Sequence, residues 1–249
     1  MSFFQKSIQF LLGMFGYKIQ KKINHDLFDE LFLNRYKENS KYSTSKIEFF
    51  LTLEHSLNYI FSNKIKGDFI ECGVFKGANC KFICDYLVSK NINDRLIYLY
   101  DTFDGMPESS EVDININSKK NYNLYLKNSK KDNRLSNFYK YESINNVRKN
   151  ILSSKYDEDK IFFIKGLVEN TIPKKMPKEI GLAILDTDYY SSTIHELKHL
   201  YPLITNGGVL IIDDYGTWAG VKKAVDEYFI DNKSFRYFID HKTLVFIKN

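Results

Sequence analysis

Residues 182–214 read LAILDTDYYSSTIHELKHLYPLITNGGVLIIDD. Two unbroken apolar runs, Leu182 to Asp186 and Val209 to Asp213, each close on acids, and an amphipathic stretch from Ser191 to Tyr201 lies between them. A strand with one wet face alternates apolar and polar residues, whereas a run that is apolar throughout is buried on both faces, as in a parallel sheet covered by helices. The stretch between them has the helical period that a crossover between parallel strands requires.

The same texture extends outward. Further apolar runs span Asp68 to Val74, Leu96 to Phe103 and Ile161 to Gly166, and helical patterns span Ala78 to Lys90, Ser143 to Ser154 and Trp218 to Asn232. Repeated strand-helix-strand units predict an α/β fold with a doubly wound, mostly parallel sheet. The C-terminus breaks the pattern: Phe235 to Ile239 and Thr243 to Ile247 are separated only by Asp240-His241-Lys242, too few residues for a helix. The seven-stranded sheet is therefore expected to end in an antiparallel hairpin.

Upstream, Asn24 to Asn63 is helical in period, with Leu27, Leu31 and Phe32 recurring, and Thr44-Ser45-Lys46-Ile47-Glu48 reads as a capped start to a helix through Phe49, Phe50, Leu53, Leu57 and Ile60. We expect one domain over residues 1–249, with a helical N-terminal extension over 1–63 and the α/β core over 64–249. Residues 108–141 are polar and rich in Asn, Ser and Lys, with Tyr122, Tyr125, Phe138 and Tyr139 scattered among them. A stretch this long inside a compact domain is a lid or binding loop, or else partly disordered.

Composition limits the functions available. The net charge of +5 is spread along the chain, so the clustered basic stripe of a nucleic-acid binder is lacking and no nucleic-acid partner is expected. Cys72, Cys80 and Cys84 are odd in number and crowded, a poor disulfide framework and a sign of a reducing compartment. Met1 to Tyr17 is apolar but is interrupted by Lys6 and Gln9, too short to span a bilayer and without a small-residue cleavage site. We expect a cytoplasmic protein without membrane contact, and leave open a homo-oligomer formed through the N-terminal helices.

Four strand ends carry three candidate chemistries. Asp68-Phe-Ile-Glu71-Cys-Gly73-Val74-Phe-Lys-Gly77 runs from a strand through a glycine-containing turn into a helix whose first amides are free. The carboxylate of Glu71 there suits a cationic or hydroxyl-bearing ligand rather than a pyrophosphate. Tyr98-Leu-Tyr-Asp101-Thr102-Phe-Asp104-Gly-Met-Pro107 places an acid where dinucleotide folds hold a ribose, but Asp101 follows Glu71 by 30 residues and Phe75 replaces the middle glycine of the nicotinamide fingerprint. The third candidate is the pair of acidic strand ends, Asp186-Thr187-Asp188 and Asp213-Asp214. In an open parallel sheet these carboxyl ends border the ligand crevice. Acids gathered there repel one another unless a cation lies between them, and oxygen ligands without Cys or His imply Mg²⁺, or Mn²⁺ or Fe²⁺ in its place. Helix capping by Asp is the plainer alternative.

One motif misleads. His195-Glu196-Leu-Lys-His199 matches the zinc-protease pattern. The helical period puts Ile194, Leu197, Leu200 and Tyr201 on the buried face and both histidines on the solvated one, so no zinc site is expected.

Taken in order, the segments Gly67 to Gly77, Asp101 to Pro107, Leu185 to Thr193, Leu200-Tyr-Pro202, Gly207-Gly208 and Asp213-Asp214-Tyr215 resemble the macrocin O-methyltransferase (TylF/MycF-type) family. The resemblance implies a class I S-adenosylmethionine-dependent methyltransferase that uses a divalent cation to methylate a sugar hydroxyl. It also implies the terminal antiparallel hairpin already inferred from loop length. By the resemblance, Glu71, Gly73, Val74 and Gly77 line the methionine part of the cofactor and Asp101 with Thr102 holds its ribose. Asp186, Asp213 and Asp214 ligate the metal, and Asp186 or Asp188 is the base. The expected acceptor is a nucleotide-linked or surface-polysaccharide sugar, or a glycosylated natural product. Two positions depart from the family: Thr187 replaces a usual Gly and Ser191 a usual Glu. The competing enzyme class is a metal-dependent glycosyltransferase using Asp186-Thr187-Asp188, which leaves Glu71 and Asp213-Asp214 without a task.

Overall fold

The computed structural model describes residues 28–107, 109–119, 142–231 and 234–249. Tertiary contacts divide the chain into two units, residues 1–34 and 35–249. Of the first unit, the described residues are 28–34, which enter helix α1 (Glu30–Asn39). The apolar stretch 1–17 and most of the expected lid lie outside the described residues. From Arg35 onward the expected N-terminal extension is part of the larger unit.

That unit is built on one sheet. Its strands are β1 (Asp68–Cys72), β2 (Ile97–Asp101), β3 (Ile161–Lys165), β4 (Ile180–Leu185), β5 (Ile204–Ile212), β6 (Phe235–Phe238) and β7 (Leu244–Ile247). Their spatial order is β3-β2-β1-β4-β5-β7-β6. The first five are parallel; β7 pairs antiparallel with both β5 and β6, so the hairpin expected from the three-residue gap is present. The helices are α2 (Ile47–Ser62), α3 (Ala78–Ser89), α4 (Ile144–Leu152), α5 (Val168–Thr171), α6 (Tyr190–Leu200) and α7 (Ala219–Tyr228).

Every residue of β4 is buried, as its continuous hydrophobicity requires. Alternate residues divide the core. Ile70, Tyr100, Ala183, Leu185, Leu210 and Ile212 pack with Leu197 and Leu200 of α6, with Val221 and Val225 of α7 and with Phe229 just after it. The opposite face of the sheet is covered by α2, which packs on α3 and β5.

Local expectations fail where the backbone turns. Strand β1 ends at Cys72, short of the expected Val74, because Gly73 enters the left-handed region at φ +84°. Helix α2 starts at Ile47 with Lys46 as N-cap and no side-chain cap bond, so Thr44 and Ser45 do not form the expected box. They line a cavity instead. Helix α4 does have its cap, Ser143 Oγ accepting from Asn146 N.

Candidate functional site

Chain order runs outward from β1 to β2 and β3 on one side and from β4 to β5 on the other, so β1 and β4 flank the point where the winding reverses. Ligand crevices in open α/β sheets form there, outside the carboxyl ends of the strands. The ladder carries one step past the strands. Gly73 N donates to Tyr100 O at 2.9 Å, Asp186 N to Cys72 O at 2.8 Å and Asp213 N to Leu185 O at 2.9 Å. Gly73, Asp186 and Asp213 are thereby brought to one height at the rim. A Cβ on Gly73 would lie 2.0 Å from the Asp186 carbonyl oxygen, so only glycine lets these two strand ends approach.

A cavity of about 510 Å³ opens at this rim. It is lined by Glu71, Gly73, Val74, Asp101, Thr102, Asp186, Asp188, Asp213 and Asp214, all predicted from sequence. Gly77 is the exception. Its N–H donates to Val74 O at 2.8 Å, and a Cβ there would meet Ile151 of α4 at 2.8 Å, so this glycine serves helix packing outside the cavity wall.

Glu71 is 2% exposed. Its Oε1 accepts from Asn79 Nδ2 at 3.0 Å, and its buried Oε2 has no hydrogen-bond partner. Burial, together with the nearby Asp101 charge, pushes its pKa up to about 8, against the hydrogen bond from Asn79. A buried, half-satisfied carboxylate facing a cavity fits a cationic ligand group. Asp101 is used differently. Its Oδ2 accepts from Val74 N at 2.7 Å and Phe75 N at 3.1 Å, and its Oδ1 from Phe103 N at 2.7 Å. It thus ties the turns after β1 and β2 together, and holds Phe75 and Phe103 at φ +49° each. Two amides occupy Oδ2, so Oδ1, with one amide donor, is the oxygen that can accept from a ligand hydroxyl.

The acidic strand ends do meet. Asp186, Asp188 and Asp214 each bring one carboxylate oxygen within 4.8 Å of the others. Asp188 and Asp214 sit at φ +66° and +59°, in the left-handed turns that follow their strands. Burial, followed by the negative charges of the neighbouring acids, raises Asp186 and Asp188 well above the usual carboxylate range. Asp188 Oδ1 is buried without a partner. Three converging oxygens and one orphaned acceptor, with neither sulfur nor imidazole among them, fit a hard divalent cation.

Asp213, expected in the same set, is committed elsewhere. Its Oδ2 accepts from Lys242 Nζ and its Oδ1 from Thr243 Oγ1, both at 2.5 Å. Lys242 Nζ also reaches Asp214 Oδ1 at 3.4 Å. Burial disfavours the lysine charge, but Asp213, Asp214 and Asp186 outweigh it and hold its pKa above the usual range.

The histidine motif is half wrong in detail. His195 and His199 are half-buried rather than solvated. Nε2 of His195 lies 3.0 Å from the Ile172 carbonyl and Nδ1 of His199 lies 2.8 Å from the His195 carbonyl, contacts that N–H donors satisfy. Glu196, not Ile194, is on the buried face, 0% exposed. Burial raises its pKa well above the carboxylate range, with Thr187 and Cys72 acting in the opposite sense.

The start of the expected lid is fixed. Asp113, 1% exposed, accepts from Ser110 N at 2.9 Å, Ser110 Oγ at 2.6 Å and Tyr190 N at 2.8 Å. Asn115 forms a β-bridge with Trp218. Asn115, Ser118, Thr217 and Trp218 then form part of the cavity wall. Sequence reasoning missed these, and also Tyr42 to Ser45, Leu167, Glu169 and Lys242. The strand-end argument applied to β3 would have found Leu167; nothing local marks the rest.

A family model described as macrocin-O-methyltransferase (TylF) matches residues 46–238. Demethyldecarbamoylnovobiocin O-methyltransferase of Streptomyces niveus is 28% identical over 169 residues, 68% of this chain and 60% of that protein. Mycinamicin III 3''-O-methyltransferase of Micromonospora griseorubida is 28% identical over 176 residues, 71% of this chain and 65% of that protein. The matches thus span less than two thirds of either relative. Among solved structures, the O-methyltransferase NovP superposes with a TM-score of 0.72 at 25% identity, covering 84% of this chain and 82% of the other. The calicheamicin methyltransferase CalS11, at 16% identity and a TM-score of 0.58, covers 93% of this chain and 99% of its own and shares the fold alone. The sheet described above is the Rossmann-like methyltransferase fold. Among the described residues no helix is long and apolar enough to cross a membrane.

Proposed function

The chain belongs to the macrocin O-methyltransferase family, and from that premise we propose that it transfers a methyl group from S-adenosylmethionine to a hydroxyl of a sugar-containing acceptor with the help of a divalent cation. The observation that carries the reading is that Glu71 and the acids of two further strand ends face a single cavity. The glycosyltransferase reading, which uses Asp186-Thr187-Asp188, gives Glu71 and Asp214 no task there.

When bound, the cofactor supplies a sulfonium-activated methyl group, and the cation, Mg²⁺ or an equivalent hard ion, supplies charge that acidifies a coordinated hydroxyl. Glu71 pairs through its unpartnered oxygen with the ammonium of the methionine part, and Asp101 accepts from ribose hydroxyls. Gly73 lets the ends of β1 and β4 close up at the cavity rim. Asp186, Asp188 and Asp214 hold the cation. A neutral alcohol is a poor nucleophile, so its proton must leave as the new bond forms; Asp188, with an unpartnered buried oxygen, takes it. Holding donor and acceptor in one cavity supplies the alignment that the displacement needs. Asn115, Ser118 and Trp218 form the wall against which the acceptor rests. The acceptor we favour is a nucleotide-linked or polysaccharide sugar, or a glycosylated natural product, in a cytoplasmic setting.

The test is thermal shift followed by turnover. S-adenosylhomocysteine should raise the melting temperature, while uridine or guanosine diphosphate with Mn²⁺ should not. Labelled S-adenosylmethionine with a panel of sugar nucleotides and glycosides should give methyl transfer that a chelator abolishes. Stabilisation by a nucleoside diphosphate with Mn²⁺, and none by S-adenosylhomocysteine, would overturn the assignment.

A further inference from the structure

The hairpin turn between β6 and β7 projects a lysine into the acidic cluster, a placement the cation site does not by itself require. Lys242 Nζ donates to Asp213 Oδ2 at 2.5 Å and to Asp214 Oδ1 at 3.4 Å. With Thr243 Oγ1 on the other oxygen, both acceptor atoms of Asp213 are engaged. Its side chain is 4% exposed and that of Lys242 26%, so water screens this pair poorly.

The ammonium is held from its backbone outward. Asp240 Oδ1 accepts from Lys242 N at 2.9 Å and Thr243 N at 2.7 Å, which closes the turn. The Lys242 carbonyl in turn accepts from Gly216 N at 3.0 Å. A Cβ on Gly216 would lie 1.9 Å from the His241 carbonyl oxygen, so the turn and the loop after Asp214 touch backbone to backbone. A lysine fixed in this way is a component of the cluster, unlike a surface side chain that settles on the nearest acid.

We propose that Lys242 is the resident cation of the acidic cluster: it pairs with Asp213 and Asp214 and competes with the divalent ion for the acids at the strand ends. This rests on the reading of Asp186, Asp188 and Asp214 as the cation site. Without the ion, the ammonium balances part of the gathered negative charge and keeps the strand ends from repelling each other. With the ion, the same ammonium opposes it across a poorly screened gap, so the metal binds more weakly than the acids alone would hold it. The site therefore holds its metal less tightly than its acids alone would, and its charge is partly balanced when it is empty.

The experiment measures Mn²⁺ binding by the full chain, followed by the electron paramagnetic resonance of free Mn²⁺, with wild type, Lys242→Met and Lys242→Arg. Lys242→Met should bind Mn²⁺ at least about tenfold more tightly, and Lys242→Arg, which keeps the charge, within about threefold of wild type. Lys242→Gln serves in place of Lys242→Met if that variant does not fold. Circular dichroism and the melting-temperature rise with S-adenosylhomocysteine report an intact cofactor site in each protein. Equal or weaker Mn²⁺ binding by folded Lys242→Met overturns the role of the lysine alone. Mn²⁺ binding by neither protein overturns the cation site as well. Loss of the S-adenosylhomocysteine response in wild type overturns the methyltransferase reading separately.

Discussion

The carboxylate of Asp113 accepts the backbone N–H of Tyr190 at 2.8 Å, across 77 residues of chain. Tyr190 opens α6, whose N-terminal amides have no partner within the helix, so a loop acid caps a helix that its own sequence leaves uncapped. The same carboxylate holds Ser110, and so fixes residues 109–119 against the site.

Asp113→Ala should therefore destabilise the protein by about 2–3 kcal/mol in urea unfolding, the loss of a buried charged acceptor shared by three part-buried donors. It should also expose residues 109–119 to limited proteolysis. Asp113→Asn, which keeps one acceptor oxygen, should lose about half as much. A change below about 0.5 kcal/mol for the alanine variant would show that the anchor is dispensable.

Glu71 sets a pH dependence whose sign follows from its burial. Its folded pKa of about 8 lies above the ordinary value of 4.5. The stability linked to it is thus fully present below the unfolded pKa and is lost as pH rises through the folded one. The ligand-free protein should melt at a lower temperature at about pH 8 than at about pH 6, and Glu71→Gln should flatten that slope. Binding an ammonium requires the ionised carboxylate, so S-adenosylhomocysteine affinity should rise over the same interval with release of a proton. Calorimetry in buffers of different ionisation enthalpy checks this. Glu71→Gln should weaken binding by about ten- to a hundredfold, the range of a charge-assisted hydrogen bond.

Glu196 offers a contrasting case, because burial favours its neutral form and it does not line the cavity. Glu196→Gln should stay within about 1 kcal/mol of wild type, since the amide matches a protonated carboxyl in shape and polarity. Glu196→Lys, which forces a charge into the same place, should destabilise by about 3–5 kcal/mol. Chemical denaturation of the two variants decides it; equal losses would mean that Glu196 is ionised in the folded protein.

The α/β class, the seven strands, the terminal hairpin and the strand-end acids are legible in the chain alone. Each of these is written in a local signal: runs such as Leu182 to Leu185 that are apolar throughout, a gap too short for a crossover, and the chemical type of the residue where a buried run stops. Tertiary structure alone decided which acids converge, because that depends on register between strands distant in sequence. It set Asp213 against Lys242 and Thr243, and left Asp186, Asp188 and Asp214 together. It also turned Gly77 toward α4, put Glu196 on the buried face of α6, and anchored Asp113 on Tyr190. A turn lysine or a loop aspartate has no period to betray it; its place is fixed only when backbone segments far apart in the chain pack against each other.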